Sequence, residues 1–439
     1  MKIALVQLGC AKNLVDAEHM LGFLRSAGFN IVADQRRAEA IIVNTCSFIH
    51  SAKQESIDQI LRLAKMKKNG RLKRLVVTGC LVQEFGPELA KALPEVDAFI
   101  GLGKLPLLLA GLLAKERDPV VRYNSVPDYL TGAEEPRWSL TPSYTAYLKI
   151  CDGCDNHCSY CLIPGIRGRF RSRPLSDVVS EARQMAAAGV KEINIIGQDI
   201  TQYGKDIPGA ANLAGLLREL VKIPGPRWLR LMYTHPAHLD SEVIDIIARE
   251  KKICKYIDLP LQHINDQILK KMNRKVNRAQ IEDLITEIRR RVPGVVLRTT
   301  FIVGFPGETE KRFSELYDFV QRTRFDRLGV FSYSREENTA AAVWAGQVAE
   351  KVKEHRRGVL MRLQQKIARE NNRKYLGKDL EVLIEHNTRK GFWTGRSQGD
   401  APEVDNQMLV KAAGKIKPGD FVRARVNRAL AYDLIGEKI

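Results

Sequence analysis

Apolar positions over residues 1–116 fall into two alternating rhythms. Short continuous apolar runs at Lys2–Gln7, Ala40–Val43 and Leu75–Thr78 read as buried strands. Between the first two, Leu14, Ala17, Leu21 and Leu24 recur at three- and four-residue spacing, which predicts a helix over 13–27 that Gly28 stops. A second helix is predicted over 51–67, and Leu105–Ala114 reads as a buried helix. Strand–helix–strand order at these lengths predicts an α/β domain with a parallel sheet.

The rhythm lapses over 117–139, where Pro119, Pro127 and Pro136 sit among charged residues, and a linker is expected. It resumes over 140–370 with six predicted strands: Thr145–Ile150, Glu192–Ile196, Trp228–Met232, Tyr256–Leu259, Val295–Val303 and Leu328–Ser332. Helices lie between them, among them Ser176–Ala188, expected to open on a capping serine and to close at Gly189. Six such units predict a partial TIM-like barrel with its site at the carboxyl ends of the strands. A charged helix over 349–376 leads to residues 373–439. There Glu381–Ile384, Asn406–Val410, Phe421–Val426 and Tyr432–Glu437, separated by turns such as Pro418-Gly419-Asp420, predict a small antiparallel β-barrel.

Charge changes the picture next. Seventy lysines and arginines against 51 acidic residues give a net charge of +19, which points to a phosphate-rich partner such as RNA or a ribonucleoprotein, with a solvated basic surface as the bland alternative. No apolar run approaches the roughly 18–20 residues of a membrane span. The start, MKIALVQLGC, lacks the charged leader and long apolar stretch of a signal peptide, so a cytoplasmic chain without membrane contact is expected. In that setting eight cysteines argue for metal, cluster or redox chemistry rather than disulfides.

Three of the eight, Cys10, Cys46 and Cys80, each fall within three residues of the end of a predicted strand. Parallel strands place their carboxyl ends on one sheet edge, so thiols distant in sequence should meet in space; the alternative is three separate small buried residues. Four more form Cys151-Asp152-Gly153-Cys154-Asp155-Asn156-His157-Cys158-Ser159-Tyr160-Cys161, just after the first barrel strand. Read as two Cys-x2-Cys pairs this is a zinc site, but structural zinc pairs stand roughly 15–20 residues apart and these are separated by three. Read as Cys154, Cys158 and Cys161 alone, three thiolates hold three irons of a cubane and leave the fourth open. Cys151 is then a packing residue, and Cys254 belongs to the core. Gln198 closes the second barrel strand, Gly304 and Gly307 form a turn after the fifth, and Arg167, Arg169, Arg171 and Arg173 put four guanidiniums in seven residues beside the cysteine loop.

A Cys-x3-Cys-x2-Cys loop after a barrel strand resembles the radical S-adenosylmethionine superfamily. That resemblance implies an open iron that chelates the cofactor, whose sulfonium is split to a 5′-deoxyadenosyl radical. It also implies Tyr160 beside the adenine, Gln198 near the cofactor's amino end, and Gly304 and Gly307 where the adenine meets the backbone. With three amino-terminal cysteines and a carboxy-terminal β-barrel, the whole chain is similar to the methylthiotransferases: a cluster domain over 1–116, a radical core over 140–370 and a TRAM domain over 373–439. In that family Cys10, Cys46 and Cys80 would hold a second 4Fe–4S cluster carrying the sulfur; one S-adenosylmethionine methylates that sulfur and a second supplies the radical.

Leu8-Gly9-Cys10-Ala11-Lys12-Asn13, Asn44-Thr45-Cys46-Ser47-Phe48-Ile49, Glu55-Ser56-Ile57-Asp58 and Tyr256-Ile257-Asp258-Leu259-Pro260-Leu261-Gln262-His263 resemble the ribosomal-protein branch (RimO-type). Ala11 stands where that branch usually has proline. The implied substrate is the β-carbon of an aspartate in small-subunit ribosomal protein S-twelve, free or in the ribosome. An adenosine of tRNA is the alternative substrate, and a non-catalytic zinc and RNA-binding protein the alternative of another class. A reductant protein such as flavodoxin or ferredoxin, an rRNA contact and a monomeric chain complete the expectation. The acidic segment Arg396–Asp405 is expected to offer a surface to a basic ribosomal protein, and the four arginines to meet the substrate.

Overall fold

The computed structural model describes residues 1–439 apart from 71, 104, 114–119, 123–126, 128, 390 and 413. Six parallel strands, β1 (Lys2–Gln7), β2 (Asn30–Ile31), β3 (Ala40–Thr45), β4 (Arg74–Gly79), β5 (Ala98–Ile100) and β6 (Val120–Arg122), form one sheet in the order β2-β1-β3-β4-β5-β6. Every residue of β3 is buried, as a strand covered on both faces requires. One face packs against α1 (Ala11–Ser26) and α4 (Leu105–Leu113) through Met20, Leu24, Leu108 and Leu112. The other packs against α2 (His50–Lys68) and α3 (Cys80–Ala92) through Ile60, Leu63, Leu81 and Leu89. The register sets Gln7 beside Asn44 and Asn44 beside Thr78, so β1, β3 and β4 end level with one another. Strand β6 carries the sheet past residue 116, into the segment expected to be a linker; residues 117–119, 123–126 and 128 of that segment lie outside the described residues. The rest of the segment is packed: Trp138 donates its N–H to Glu18 O at 2.9 Å, and Arg137 joins Glu18 to Glu181.

The core begins with β7 (Thr145–Lys149) and a small hairpin of β8 (Cys151–Asp152) and β9 (Arg171–Ser172). Strands β10 (Glu192–Ile196) and β11 (Trp228–Leu231) join β7 in one parallel sheet. Strands β12 (Tyr256–Asp258), β13 (Val296–Val303) and β14 (Arg327–Ser332) form another. A bridge between Leu229 and Ile253 and the bond from Thr234 N to Asp258 O (3.1 Å) join the two into an open arc, the partial barrel that six strand–helix units predict. Short α5 (Ile163–Arg167) follows the cysteine loop, and α6 (Leu175–Ala187) packs outside the arc. Helix α6 opens after Pro174 with no side-chain cap, one residue before the serine expected to cap it; its end at Gly189, φ +87°, is as expected. Helices α7 (Leu213–Leu220), α8 (Ser241–Arg249), α9 (Asp266–Lys271), α10 (Arg278–Arg291), α11 (Glu310–Thr323) and α12 (Glu350–Arg373) complete the outer layer. No helix among the described residues is long and apolar enough to cross a membrane.

The carboxy-terminal strands β15 (Asp379–Arg389), β16 (Phe392–Arg396), β17 (Met408–Lys411), β18 (Phe421–Ala429) and β19 (Leu434–Lys438) close into a barrel, ordered β15-β16-β17-β19-β18. The β17–β19 pair is parallel, a departure from the wholly antiparallel barrel expected. This barrel and α1 fill the open side of the core arc: Val15, Leu383 and Ala401 share one apolar cluster with Tyr147, Trp228 and Tyr256.

Candidate active site

Because β1, β3 and β4 end level, the turns that carry Cys10, Cys46 and Cys80 converge at the sheet's carboxyl edge. A Cβ placed on Gly9 would lie 2.7 Å from the Cys46 Cβ, so only glycine, here at φ +87°, lets these two turns approach. Asn13 ties all three: its Nδ2 donates to Thr45 O at 2.9 Å, and its Oδ1 accepts from the Cys80 thiol at 3.4 Å. Ser56 holds the second turn by accepting from Cys46 N (3.1 Å) and donating to Cys46 O (3.0 Å). Burial pushes the Cys80 thiol up to about 12. Burial would also raise Cys10, but Lys12 and Arg167 beside it bring it below the ordinary thiol value. Cys10 is exposed, while Cys46 and Cys80 are buried.

The second triad lies on a loop whose backbone is pinned on both sides. Gly153, at φ +77°, would place a Cβ 2.0 Å from Arg169 O, and Cys154 N donates to Gly168 O at 3.2 Å. Ser159 bonds Met272 O through its N–H (3.2 Å) and Lys271 O through its hydroxyl (2.8 Å), which fixes the turn between Cys158 and Cys161. Burial pushes Cys154 up to about 11 and Cys161 up to about 12, so ligand binding here must release protons. Arg274 donates to the Cys158 sulfur at 3.6 Å and supplies positive charge beside the loop. Cys158 and Cys161 wall an open hollow of about 410 Å³ whose far side is Gln83 and Glu84 of α3, the helix that begins at Cys80.

The two triads are neighbours. Cys80 shares a small apolar cluster with Leu162, the residue after Cys161, and with Ile166. Between them lies a buried network that sequence reading missed: Arg167 and Lys149 each bridge Asp16 of α1 and Asp152 of the cysteine loop. Burial alone would raise Asp152, but Arg167 and Lys149 hold it well below the carboxylate range. Asn13 and Asp16, one helical turn apart, were a legible sign that this face of α1 meets a site. Gln198 donates to Asp152 at 2.7 Å, while its Oε1 is buried without a partner. Asp199 accepts from Asn156 of the loop and pairs with His238, both at 2.8 Å, and so braces the loop from β10.

Several expectations change here. The four arginines part company. Arg173 is buried in ion pairs with Asp177 and Glu181 of α6 and serves packing. Arg171 holds Arg167 O and Pro127 O, Arg169 is exposed, and Arg167 alone reaches a cysteine. The space at Gly304, φ +73°, is taken by the stem of Lys353, which lies 2.2 Å from where a Cβ would stand, so that glycine accommodates α12. Gly307, φ +89°, bonds Gly346 O through its N–H and faces the Lys271 ammonium. Tyr160 packs edge-on against Phe305, with ring centroids 6.3 Å apart. Cys151 and Cys254 are core residues, as expected. The acidic segment near the carboxyl end is largely turned inward: Arg396 pairs with Glu192, Asp400 with Arg327 and Asp405 with Arg298, which leaves Glu403 as its one exposed carboxylate.

An open parallel arc carrying a Cys-x3-Cys-x2-Cys loop at its carboxyl mouth, with a second cysteine triad packed against it, defines a two-cluster radical S-adenosylmethionine enzyme. Family models agree: Uncharacterized protein family UPF0004 matches residues 2–101, the Radical SAM superfamily 148–320 and the TRAM domain 376–439. The chain is 48% identical over 440 residues to the ribosomal protein uS12 methylthiotransferase RimO of Pelotomaculum thermopropionicum, covering 100% of this chain and 99% of that protein. It is 49% identical to the protein of the same name from Geotalea uraniireducens (99% and 98% covered), and 48% identical to that of Clostridioides difficile (100% and 98%). The chain therefore belongs to the RimO methylthiotransferase family, enzymes that use S-adenosylmethionine and two 4Fe–4S clusters. In fold it is similar to the radical S-adenosylmethionine methyltransferase TsrM of Kitasatospora setae, with a TM-score of 0.58, 18% identity, and 78% and 77% of the two chains covered. The cobalamin-dependent radical enzyme OxsB gives a TM-score of 0.51 at 13% identity, with 83% and 56% covered.

Proposed function

We propose that this chain adds a methylthio group to the β-carbon of an aspartate of ribosomal protein uS12. The observation that carries this reading is the packing of Cys80 against Leu162, which sets the triad of Cys10, Cys46 and Cys80 beside that of Cys154, Cys158 and Cys161. Cys154, Cys158 and Cys161 would hold the cluster that binds S-adenosylmethionine, and Cys10, Cys46 and Cys80 the cluster that carries sulfur. Two sets of three thiols, each on pinned backbone, suit cubanes that each keep one iron free of protein ligands. The unpartnered Oε1 of Gln198 suits an ammonium donor such as the cofactor's amino group.

When bound, the cofactor supplies the methyl group and the carbon radical. The protein's own residues do the rest. Arg167 and Arg274 set positive charge beside thiolates that must be anionic to bind iron. The Asp16–Arg167–Asp152–Lys149 network keeps the two triads at a fixed separation, and the buried shells of Ile166, Leu162 and Leu102 limit water beside Cys80.

We further propose that the outward row Arg423, Arg425 and Arg428 on β18 contacts ribosomal RNA, in keeping with the net charge of +19. An acidic reductant such as flavodoxin or ferredoxin would dock near Lys270 and Lys271, which flank the radical cluster loop. The chain is read as a cytoplasmic monomer.

The test offers the anaerobically reconstituted protein, with S-adenosylmethionine, a reductant and sulfide, both small ribosomal subunits and unmodified tRNA. Mass spectrometry is expected to find a methylthio adduct on the uS12 aspartate alone. An adduct on tRNA alone would overturn the substrate and keep the chemistry.

A further inference from the structure

We infer that Lys12 is the receptor for the carboxylate of the aspartate being modified and so selects the substrate residue. The inference rests on the proposed uS12 reading. Lys12 lies in the first turn of α1, two residues after Cys10, and is only 9% exposed. It makes no ion pair among the described residues; its ammonium sits 3.4 Å above the Tyr233 ring. Of the other cations around the site, Lys149 and Arg167 pair with Asp16 and Asp152, Arg298 pairs with Asp258 and Asp405, and Arg274 donates to the Cys158 sulfur and to Pro260 O. A buried ammonium without a carboxylate loses more hydration than a ring contact restores, so the position is made for an anion that arrives from outside.

The ring beneath it is held against local preference. Tyr233 follows β11 at the mouth of the arc with φ +65°, a left-handed conformation that a tyrosine rarely adopts. Its N–H donates to Asp258 at 2.9 Å, and Arg298 fixes that carboxylate at 2.7 Å. Strain of this kind persists where surrounding structure over-determines a working position. Lys12 thus spans from the sulfur-carrying triad to the barrel mouth.

The chemistry of the substrate completes the argument. In aspartate the β-carbon is bonded directly to the carboxylate carbon. An ammonium beside Cys10 that grips this carboxylate sets the β-carbon one bond from the anchored group and next to the sulfur source. Glutamate would carry the same anchor one methylene further, and asparagine would bring no charge. The competing role for Lys12 is to balance charge at Cys10, which it shares with Arg167, and the amino-terminal cluster signal of Lys12→Met separates the two roles.

The deciding experiment measures binding of uS12, and of uS12 with its target aspartate changed to asparagine, to the reconstituted full-length holoenzyme. Wild type, Lys12→Met and Lys12→Arg are compared, with iron content and the electron paramagnetic resonance of each cluster recorded. Wild type is expected to bind native uS12 on the order of 30-fold more tightly than the asparagine form, the scale for removing one partner of a buried charge pair. Lys12→Met should bind both forms equally weakly with both cluster signals intact, and Lys12→Arg should restore part of the preference. A Lys12→Met enzyme that still prefers native uS12, or that loses the amino-terminal cluster signal, overturns the inference while wild type still modifies uS12. A wild type that modifies only tRNA overturns the proposed function itself.

Discussion

Arg167 sets one guanidinium nitrogen 3.7 Å from the sulfur of Cys80 and another 2.9 Å from the carboxylate of Asp152, so a single side chain touches both cysteine-bearing regions. Removing one member of a buried charge network strands the rest, a loss of about 3–5 kcal/mol. Arg167→Ala is therefore expected to lower the stability of the apo protein by that amount in urea unfolding and to weaken assembly of the amino-terminal cluster. Arg167→Lys keeps the charge without the planar fork, and should fall between the two.

The two triads should be separable by substitution. Cys154→Ala, Cys158→Ala or Cys161→Ala is expected to abolish 5′-deoxyadenosine formation. Cys10→Ala, Cys46→Ala or Cys80→Ala should retain its formation and abolish methylthiolation. Iron should fall from about eight to about four atoms per chain in each set, since each cubane holds four. Loss of both signals from one amino-terminal substitution would contradict the assignment.

The remaining cysteines provide the contrast. Cys151 is fully buried against Gly197, where a Cβ would lie 2.3 Å from its sulfur, and Cys254 is 1% exposed. Cys151→Ala and Cys254→Ala should each cost roughly 1 kcal/mol through the space left behind. Iron content and methylthiolation are expected to stay at wild-type levels.

Glu192 is buried between Arg230 and Arg396, which outweigh the effect of burial and bring its carboxyl down to about 2. A carboxyl depressed on folding contributes stability that is complete above its unfolded value, roughly 4.3, and is lost as pH falls through the folded value. The docked β-barrel should therefore loosen between about pH 4.3 and pH 2. Fluorescence of Trp228, whose ring meets Phe421 of the barrel at 4.8 Å, reports that step in apo protein. Glu192→Gln should remove the pH dependence and loosen the barrel at neutral pH.

Much of this was legible in the chain. The level ends of β1, β3 and β4 follow from apolar runs followed by cysteine, and the spacing of Cys154, Cys158 and Cys161 already argued against zinc. What stayed hidden depends on contacts between distant segments. Strand β2 is two residues long and β6 three, too short to carry a period of their own. Strand β16 holds Gly395 and ends at Arg396, whose side chain enters the core to meet Glu192; nothing local distinguishes it from a turn. Likewise Arg167 and Arg173 look alike in a basic run, and only the fold gives one to Cys80 and the other to Glu181. The partner of Lys12 is a tyrosine 221 positions further along, which no spacing could reveal.

The inward turn of Arg396, Asp400 and Asp405 reaches beyond the stability of one interface. Because those side chains lock the β-barrel into the open side of the radical core, the arginine row on β18 and the mouth at Tyr233 are tied together by buried ion pairs. Whatever the barrel grips, the reach from grip to reaction is then constant, like the span of a caliper. A ribosome offers many aspartates, and a tool of invariant span can address one of them by its distance from a landmark as well as by its own chemistry.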